Sequence, residues 1–190
     1  MSALQLTALD GARRPIDDGL LDHLRSGLDG SFLGPDDEGY ADAVQLWNGM
    51  ITRRPAAVIR AASRDDVVRA VEFARNEGVE LSIKGGGHNI AGLALSDGGL
   101  TLDMSAFKSV EVDVDARLAR VGAGCLLGDV DRATLAHGRA TTLGFVSATG
   151  VAGLTLGGGF GYLTRRFGWT VDDLESVEIV TADGATQRAA

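Results

Sequence analysis

Two glycine-rich segments constrain this chain more than anything else in it. They are Lys84-Gly85-Gly86-Gly87-His88-Asn89-Ile90-Ala91-Gly92 and Thr149-Gly150-Val151-Ala152-Gly153-Leu154-Thr155-Leu156-Gly157-Gly158-Gly159-Phe160-Gly161. Glycine lacks a Cβ, so it admits positive φ and lets another group come close to the backbone. In the first segment three glycines follow the apolar run Leu81–Lys84 directly. Such a series can turn several N–H groups toward one point, a nest suited to phosphate oxygens, with Lys84 adding charge. A tight turn between strands would also use these glycines, but it has no need of His88 at its mouth. His23 and His137 are placed with ordinary surface histidines. In the second segment, glycines interleaved with apolar residues describe backbone lying flat against a large planar or phosphorylated ligand. One backbone packed closely on another would give the same pattern. Two such segments in one domain fit a ligand long enough to need both, and a dinucleotide has that length.

A third glycine series mimics a dinucleotide fingerprint. Gly122-Ala123-Gly124-Cys125-Leu126-Leu127-Gly128 follows a strand and opens a helix. Its last glycine comes one residue late, and no Asp or Glu stands near position 142 to take a ribose hydroxyl. The preceding strand also belongs to a hairpin, so the series is set aside, with Cys125 as a buried small hydrophobe. A single cysteine rules out an internal disulfide and a cysteine-built metal site. A net charge of −8 offers no basic face for nucleic acid, although a few arginines could serve one small anion. No secretory signal and no bilayer-long apolar run is visible, so a soluble, cytoplasmic protein without a membrane partner is expected.

The pattern mixes helix and strand. Residues 1–38 read as a preamble with one amphipathic helix over Gly19–Leu28 and a loop over Gly30–Gly39. Tyr40–Met50 reads as helical, and Ala57–Ala61 as a strand. Ser63 then caps a helix that Gly78 ends. Leu81–Lys84, Leu100–Met104, Val110–Val114 and Leu118–Val121 read as strands, with a turn at Asp115-Ala116. A helix over Leu126–His137 precedes the second glycine segment. Tyr162–Gly168 makes a helical turn or two, Val177–Thr181 a strand, and Ala185 opens its hairpin partner. Regular βαβ alternation is missing, so the class is α+β. The chain stops within that last strand, from which a truncated domain is expected.

Four motifs then stand in a telling order: Lys84–Gly92, Leu102-Asp103-Met104-Ser105, Gly150–Gly161, and Val180-Thr181-Ala182-Asp183-Gly184. Together they resemble the FAD-binding domain of the vanillyl-alcohol oxidase, or p-cresol methylhydroxylase-type, flavoproteins. Within that group they are most similar to the berberine-bridge-like and 6-hydroxynicotine-oxidase-like branch. The resemblance covers roughly residues 40–190, so residues 39–190 are assigned to the domain.

It implies a two-subdomain α+β fold with FAD between the subdomains. Lys84, Gly85, Gly86, Gly87, His88, Asn89, Gly92 and Leu93 would hold the pyrophosphate. Thr149, Gly150, Gly153, Gly157, Gly158 and Gly161 would run beside the ribityl chain and the isoalloxazine, and Val180 would lie near the adenine. His88 falls where this branch bonds an imidazole to the flavin 8α-methyl carbon. Some relatives carry a second link through cysteine, but Val146 stands there, so attachment through His88 alone is implied. Asp173 replaces the asparagine of many relatives. The implied function is the cofactor module of a flavin-dependent oxidoreductase, an oxidase rather than a dehydrogenase, moving hydride from a small organic substrate to flavin N5. Substrate contacts and any base would lie in a missing domain, and no residue of this chain is assigned as catalytic. A silent FAD-binding module, or a non-covalent flavin reductase of the cell-wall-precursor type, are the alternatives.

Overall fold

The structure is a computed structural model that describes residues 3–190. Its N-terminal segment is a hairpin, β1 (Gln5–Thr7) with β2 (Arg13–Pro15), followed by α1 (Asp18–Ser26) and the short strand β3 (Ser31–Leu33). Leu6, Ile16 and Leu21 of this segment are buried together with Ala74 and Val79. Backbone hydrogen bonds from Thr7 to Gly98 and from Glu80 to Thr7 stitch it to the rest. Residues 1–38 are therefore no separate preamble: the described ones belong to the same core.

The central sheet has the order β3, β4 (Ala57–Arg60), β6 (Leu100–Asp103), β5 (Leu81–Lys84). Only β3 runs antiparallel; the other three are parallel. Val58, Ile59, Leu100 and Leu102 are buried on both faces of the sheet, as continuous apolar runs in parallel strands require. Between β4 and β5 comes α3 (Arg64–Glu77), started by the Ser63 cap and ended by Gly78 at φ 61°. Both ends match expectation, and such a cap is worth about 1 kcal/mol. Asp66 of this helix is fully buried and accepts backbone N–H groups of Asp29, Gly30, Ala62 and Ser63 at 2.8–3.3 Å. Burial raises its pKa, but those donors outweigh burial and hold the carboxyl below its ordinary value.

Two expectations, one of a helix and one of a loop, are corrected. Tyr40–Met50 is helical only over α2 (Tyr40–Ala43), after which the chain becomes an irregular strap. The Gly30–Gly39 loop contains β3, whose three residues are too few for a periodic signal.

Beyond residue 103 lies a smaller unit. The hairpin β7 (Val110–Asp113) with β8 (Leu118–Val121) packs on α4 (Leu127–Leu135), burying Leu127, Val130 and Leu143 against Val110, Val121 and Leu154. Then come α5 (Val151–Leu156), α6 (Thr164–Phe167), a 3-10 turn (Thr170–Asp173) and the hairpin β9 (Val177–Val180) with β10 (Thr186–Ala189). Among the described residues no helix is long and apolar enough to cross a membrane.

Candidate functional site: two backbones in contact

Parallel β4, β6 and β5 put their carboxyl ends on one edge, where ligands of open sheets bind. The connection from β5 to β6 crosses that edge as a loop, not a helix, and its first residues are Gly85–Gly87. Among the described residues, the N–H groups of Gly86, Gly87, His88 and Asn89 meet no protein acceptor. Consecutive donors that no protein acceptor takes are open to water or to an anion. Gly87 has φ 70°, which bends the series.

The second segment comes to the same place. A Cβ on Gly86 would lie 2.4 Å from the Gly150 nitrogen and 2.5 Å from its Cα. One on Gly150 would lie 2.5 Å from the Gly86 nitrogen. Gly150 is held from its other side by an antiparallel bridge to Leu126. The two glycine segments thus touch backbone to backbone. Thr149, the neighbour of Gly150, lines a cavity of about 290 Å³ with Val146, Gly153, Gly157, Gly159 and Phe160, among others.

The second segment is not flat as expected. Val151–Leu156 is a helix, α5, and only residues from Gly157 onward are extended or turned. Its glycines serve different neighbours. At Gly161 a Cβ would meet the Leu143 carbonyl oxygen at 1.9 Å, and at Gly159 the side chains of Thr170 and Leu154. At Gly153 it would meet nothing within 4 Å. Gly158, at φ 101°, lies near the Trp169 ring.

Lys84 lies beneath the nest, its Cε 3.5 Å from where a Cβ on Gly87 would stand. Alternation along β5 puts its side chain on the buried face with Ser82, where its ammonium donates to the Ala43 carbonyl at 2.7 Å and stands 3.9 Å from Asp103. Register aligns Arg60, Asp103 and Lys84 in one row across the sheet, and Arg60 reaches Asp103 at 3.3 Å. Burial lowers the Lys84 pKa, partly offset by Asp103. The lysine is therefore an internal strut between α2 and the strand that launches the nest.

The remaining assigned residues divide. Asn89 spends its side-chain oxygen on the Leu93 N–H. Gly92, at φ 71°, packs against Ile51. Leu93 is exposed and lines a different cavity, with Leu9 and Arg53. Val180 ends β9, whose hairpin is fixed to α3 by the Arg64–Glu178 ion pair at 2.9 Å. Asp173 accepts the Thr142 hydroxyl at 2.5 Å, bracing the segment that leads into the cavity wall at Gly144.

His88 is half-buried, and its ring stacks on Trp47 with centroids 5.4 Å apart and planes 22° from parallel. Trp47 lies on the strap after α2, where a helix was expected, and only tertiary folding brings it here. The strap is tied to the nest by Trp47 N–H to the Gly87 carbonyl at 3.1 Å and Asn48 to the Ile90 carbonyl at 2.9 Å.

These features fit FAD. A row of free N–H donors suits a diphosphate, and the adjoining cavity is walled by glycine, aliphatic and aromatic groups suited to a flat ring. The Thr170 hydroxyl, buried without a hydrogen-bond partner among the described residues, lies beside Gly159 of that wall. Val146, at the place of a second link in some relatives, offers the cavity an alkyl group and no thiol.

The comparisons point the same way. A family model described as an FAD binding domain matches residues 55–190. The chain is 35% identical over 157 residues to (R)-6-hydroxynicotine oxidase of Paenarthrobacter nicotinovorans, covering 83% of this chain and 34% of that protein. Among solved structures, 6-hydroxy-D-nicotine oxidase from Arthrobacter nicotinovorans superposes with a TM-score of 0.84 at 34% identity, covering 86% of this chain and 36% of that one. Glucooligosaccharide oxidase from Acremonium strictum, described with a 6-S-cysteinyl, 8α-N1-histidyl FAD, gives 0.83 at 32%, covering 91% and 37%. The chain thus spans about a third of the length of the relatives it matches.

Proposed function

Since the chain belongs to the FAD-binding domain family, in its 6-hydroxynicotine-oxidase-like and berberine-bridge-like branch, we propose that it is the cofactor-holding part of an FAD-linked oxidase, with His88 as the single covalent anchor. The observation that carries this is the contact of Gly86 with Gly150, which sets a loop with free N–H groups beside the segment that lines the cavity.

Gly86, Gly87, His88 and Asn89 would hold the diphosphate through their N–H groups, whose dipoles offset its charge. The cavity walls around Gly153, Gly157 and Phe160 would take the flat ring. When bound, FAD would supply the hydride acceptor for a C–H bond of a small organic substrate, with dioxygen as the onward acceptor. His88 would hold it through a ring nitrogen, giving up its N–H as an N–C bond replaces a C–H bond of the 8α-methyl, the two electrons and two protons passing to dioxygen as hydrogen peroxide. The tether prevents loss of the cofactor and draws electron density from the ring. Most substrate contacts, and any base, are assigned to the length of the relatives that this chain does not span.

The test is acid precipitation of the full-length protein. Flavin should stay with the wild-type pellet, and H88A should release whatever flavin it binds into the supernatant. Flavin retained by H88A after precipitation refutes the anchor.

A further inference from the structure

A histidine that must form a bond through one chosen nitrogen needs its ring held at a fixed angle. Nothing in the nest itself does this, since His88 is flanked by Gly87 and by the exposed Asn89 and Ile90. No side-chain hydrogen bond to the His88 ring exists among the described residues. What the ring does have is a face-on neighbour, Trp47, at 5.4 Å and 22°.

The indole is not there by accident of a flexible side chain. The Trp47 main-chain N–H donates to the carbonyl of Gly87, the residue before His88, at 3.1 Å. Its neighbour Asn48 spends both ends of its amide on the strap and the nest: Nδ2 donates to the Ile90 carbonyl at 2.9 Å, and Oδ1 accepts from Met50 at 3.1 Å. Upstream, the Ala43 carbonyl is held by Lys84. Downstream, Arg53 donates to the carbonyls of Gly92 and Leu95. The strap is therefore pinned to the nest loop before, at and after the indole. Yet Trp47 itself is 63% exposed, so packing into a core does not explain why a large aromatic ring stands there. Of its two faces, one is spent on the imidazole.

We propose that Trp47 is a positioning residue for His88: its indole fixes the imidazole plane from which the flavin bond is made. The inference rests on the anchor role of His88. Offset-stacked rings attract each other beyond simple burial, and the stack leaves the ring nitrogens, which lie in the imidazole plane, free to react. Loss of that orientation slows a bond-forming step much more than it weakens binding, because reaction rate depends steeply on alignment.

The experiment follows covalent incorporation over time after FAD is added to the full-length apoprotein, reading flavin fluorescence of denatured, gel-separated protein. W47L should slow incorporation on the order of tenfold while non-covalent FAD affinity changes little, and W47F should recover most of the rate. A merely structural role would not separate attachment from binding, nor be rescued by a smaller aromatic. A W47L rate equal to wild type, with H88A inert, overturns the positioning role and leaves the anchor standing. Incorporation by H88A overturns both. A second readout needs no W47L protein. In apoprotein with 13C-labelled histidine, assigned with H88A, the His88 ring protons should be displaced upfield by the indole. His88 resonances without that displacement refute the stack, whatever the variants do.

Discussion

The two glycine segments look alike in sequence and are built on different principles. The first is a short loop on the carboxyl edge of a parallel sheet, pinned from beneath by Lys84 and from the side by the strap through Trp47, Asn48 and Arg53. Its N–H groups stay free because everything else in it is tied down. The second is half helix and half turn, carried by a smaller core, and it borders a cavity with a line of exposed rings: Tyr162, Phe145, Phe160 and Trp169 stand edge to face or tilted at 5.5–6.0 Å. Free backbone donors recognise charge, whereas a glycine-walled apolar cavity recognises shape. FAD asks for both, with its diphosphate between two flat ring systems, and the contact at Gly86 and Gly150 is where one principle gives way to the other.

The largest effect should come from breaking that contact. In G86A or G150A the new methyl would fall within 2.5 Å of backbone atoms, which cannot rotate away as a side chain could. Each should lower stability by about 3 kcal/mol, the upper end for overpacking, and abolish FAD binding together. Thermal unfolding with flavin absorbance checks both; either variant at wild-type Tm removes the contact from the account.

Next comes the rigidity behind the first segment. Asp66 ties α3 to the loop entering β3 through four backbone donors, and D66N would turn an amide NH2 toward some of them. A loss of about 2 kcal/mol at neutral pH is expected, since hydrogen bonds to a charged acceptor are the stronger kind. The folded-state pKa of Asp66 lies below its ordinary 3.8. Its contribution is therefore whole above pH 3.8 and disappears as pH falls through the folded-state value. Denaturant midpoints should show the gap between D66N and wild type narrowing over that acid range, and a gap that stays constant would contradict the charge-based account.

Which parts of this were legible in sequence follows from how local each cause is. The N-cap at Ser63, the stop at Gly78 and the run Leu81–Lys84 are set by neighbours a few residues away, and they stand as expected. The strands β1, β2 and β3 have three residues each and exist because partners far along the chain accept them. Helix α5 hid behind Gly153 and Gly157, whose low helix propensity outweighed the Val151 and Leu154 pair that faces the core. The destination of Lys84 was readable from strand alternation with Ser82, had charge not drawn attention to the phosphate instead. Trp47 gave no local sign, since only the fold lays the strap over His88.

The smallest effect is the most discriminating one. Close backbone packing and ligand contact both call for glycine, and substitution separates them by sign. Gly161 and Gly159 are filled by protein atoms, so alanine there should only destabilise. At Gly153, inside α5, a Cβ meets no protein atom within 4 Å, and the residue lines the cavity. Alanine in a helix interior gains about 0.5–1 kcal/mol over glycine, so G153A should raise the Tm of the apoprotein. If the open side of α5 holds the flat ring, the same methyl must intrude on it. FAD affinity should then fall on the order of tenfold, the equivalent of a modest overpacking penalty. Stability and affinity moving in opposite directions mark a glycine kept for the ligand. Should G153A bind FAD as tightly as wild type, the ring does not lie against α5, and the second segment owes its glycines to packing alone.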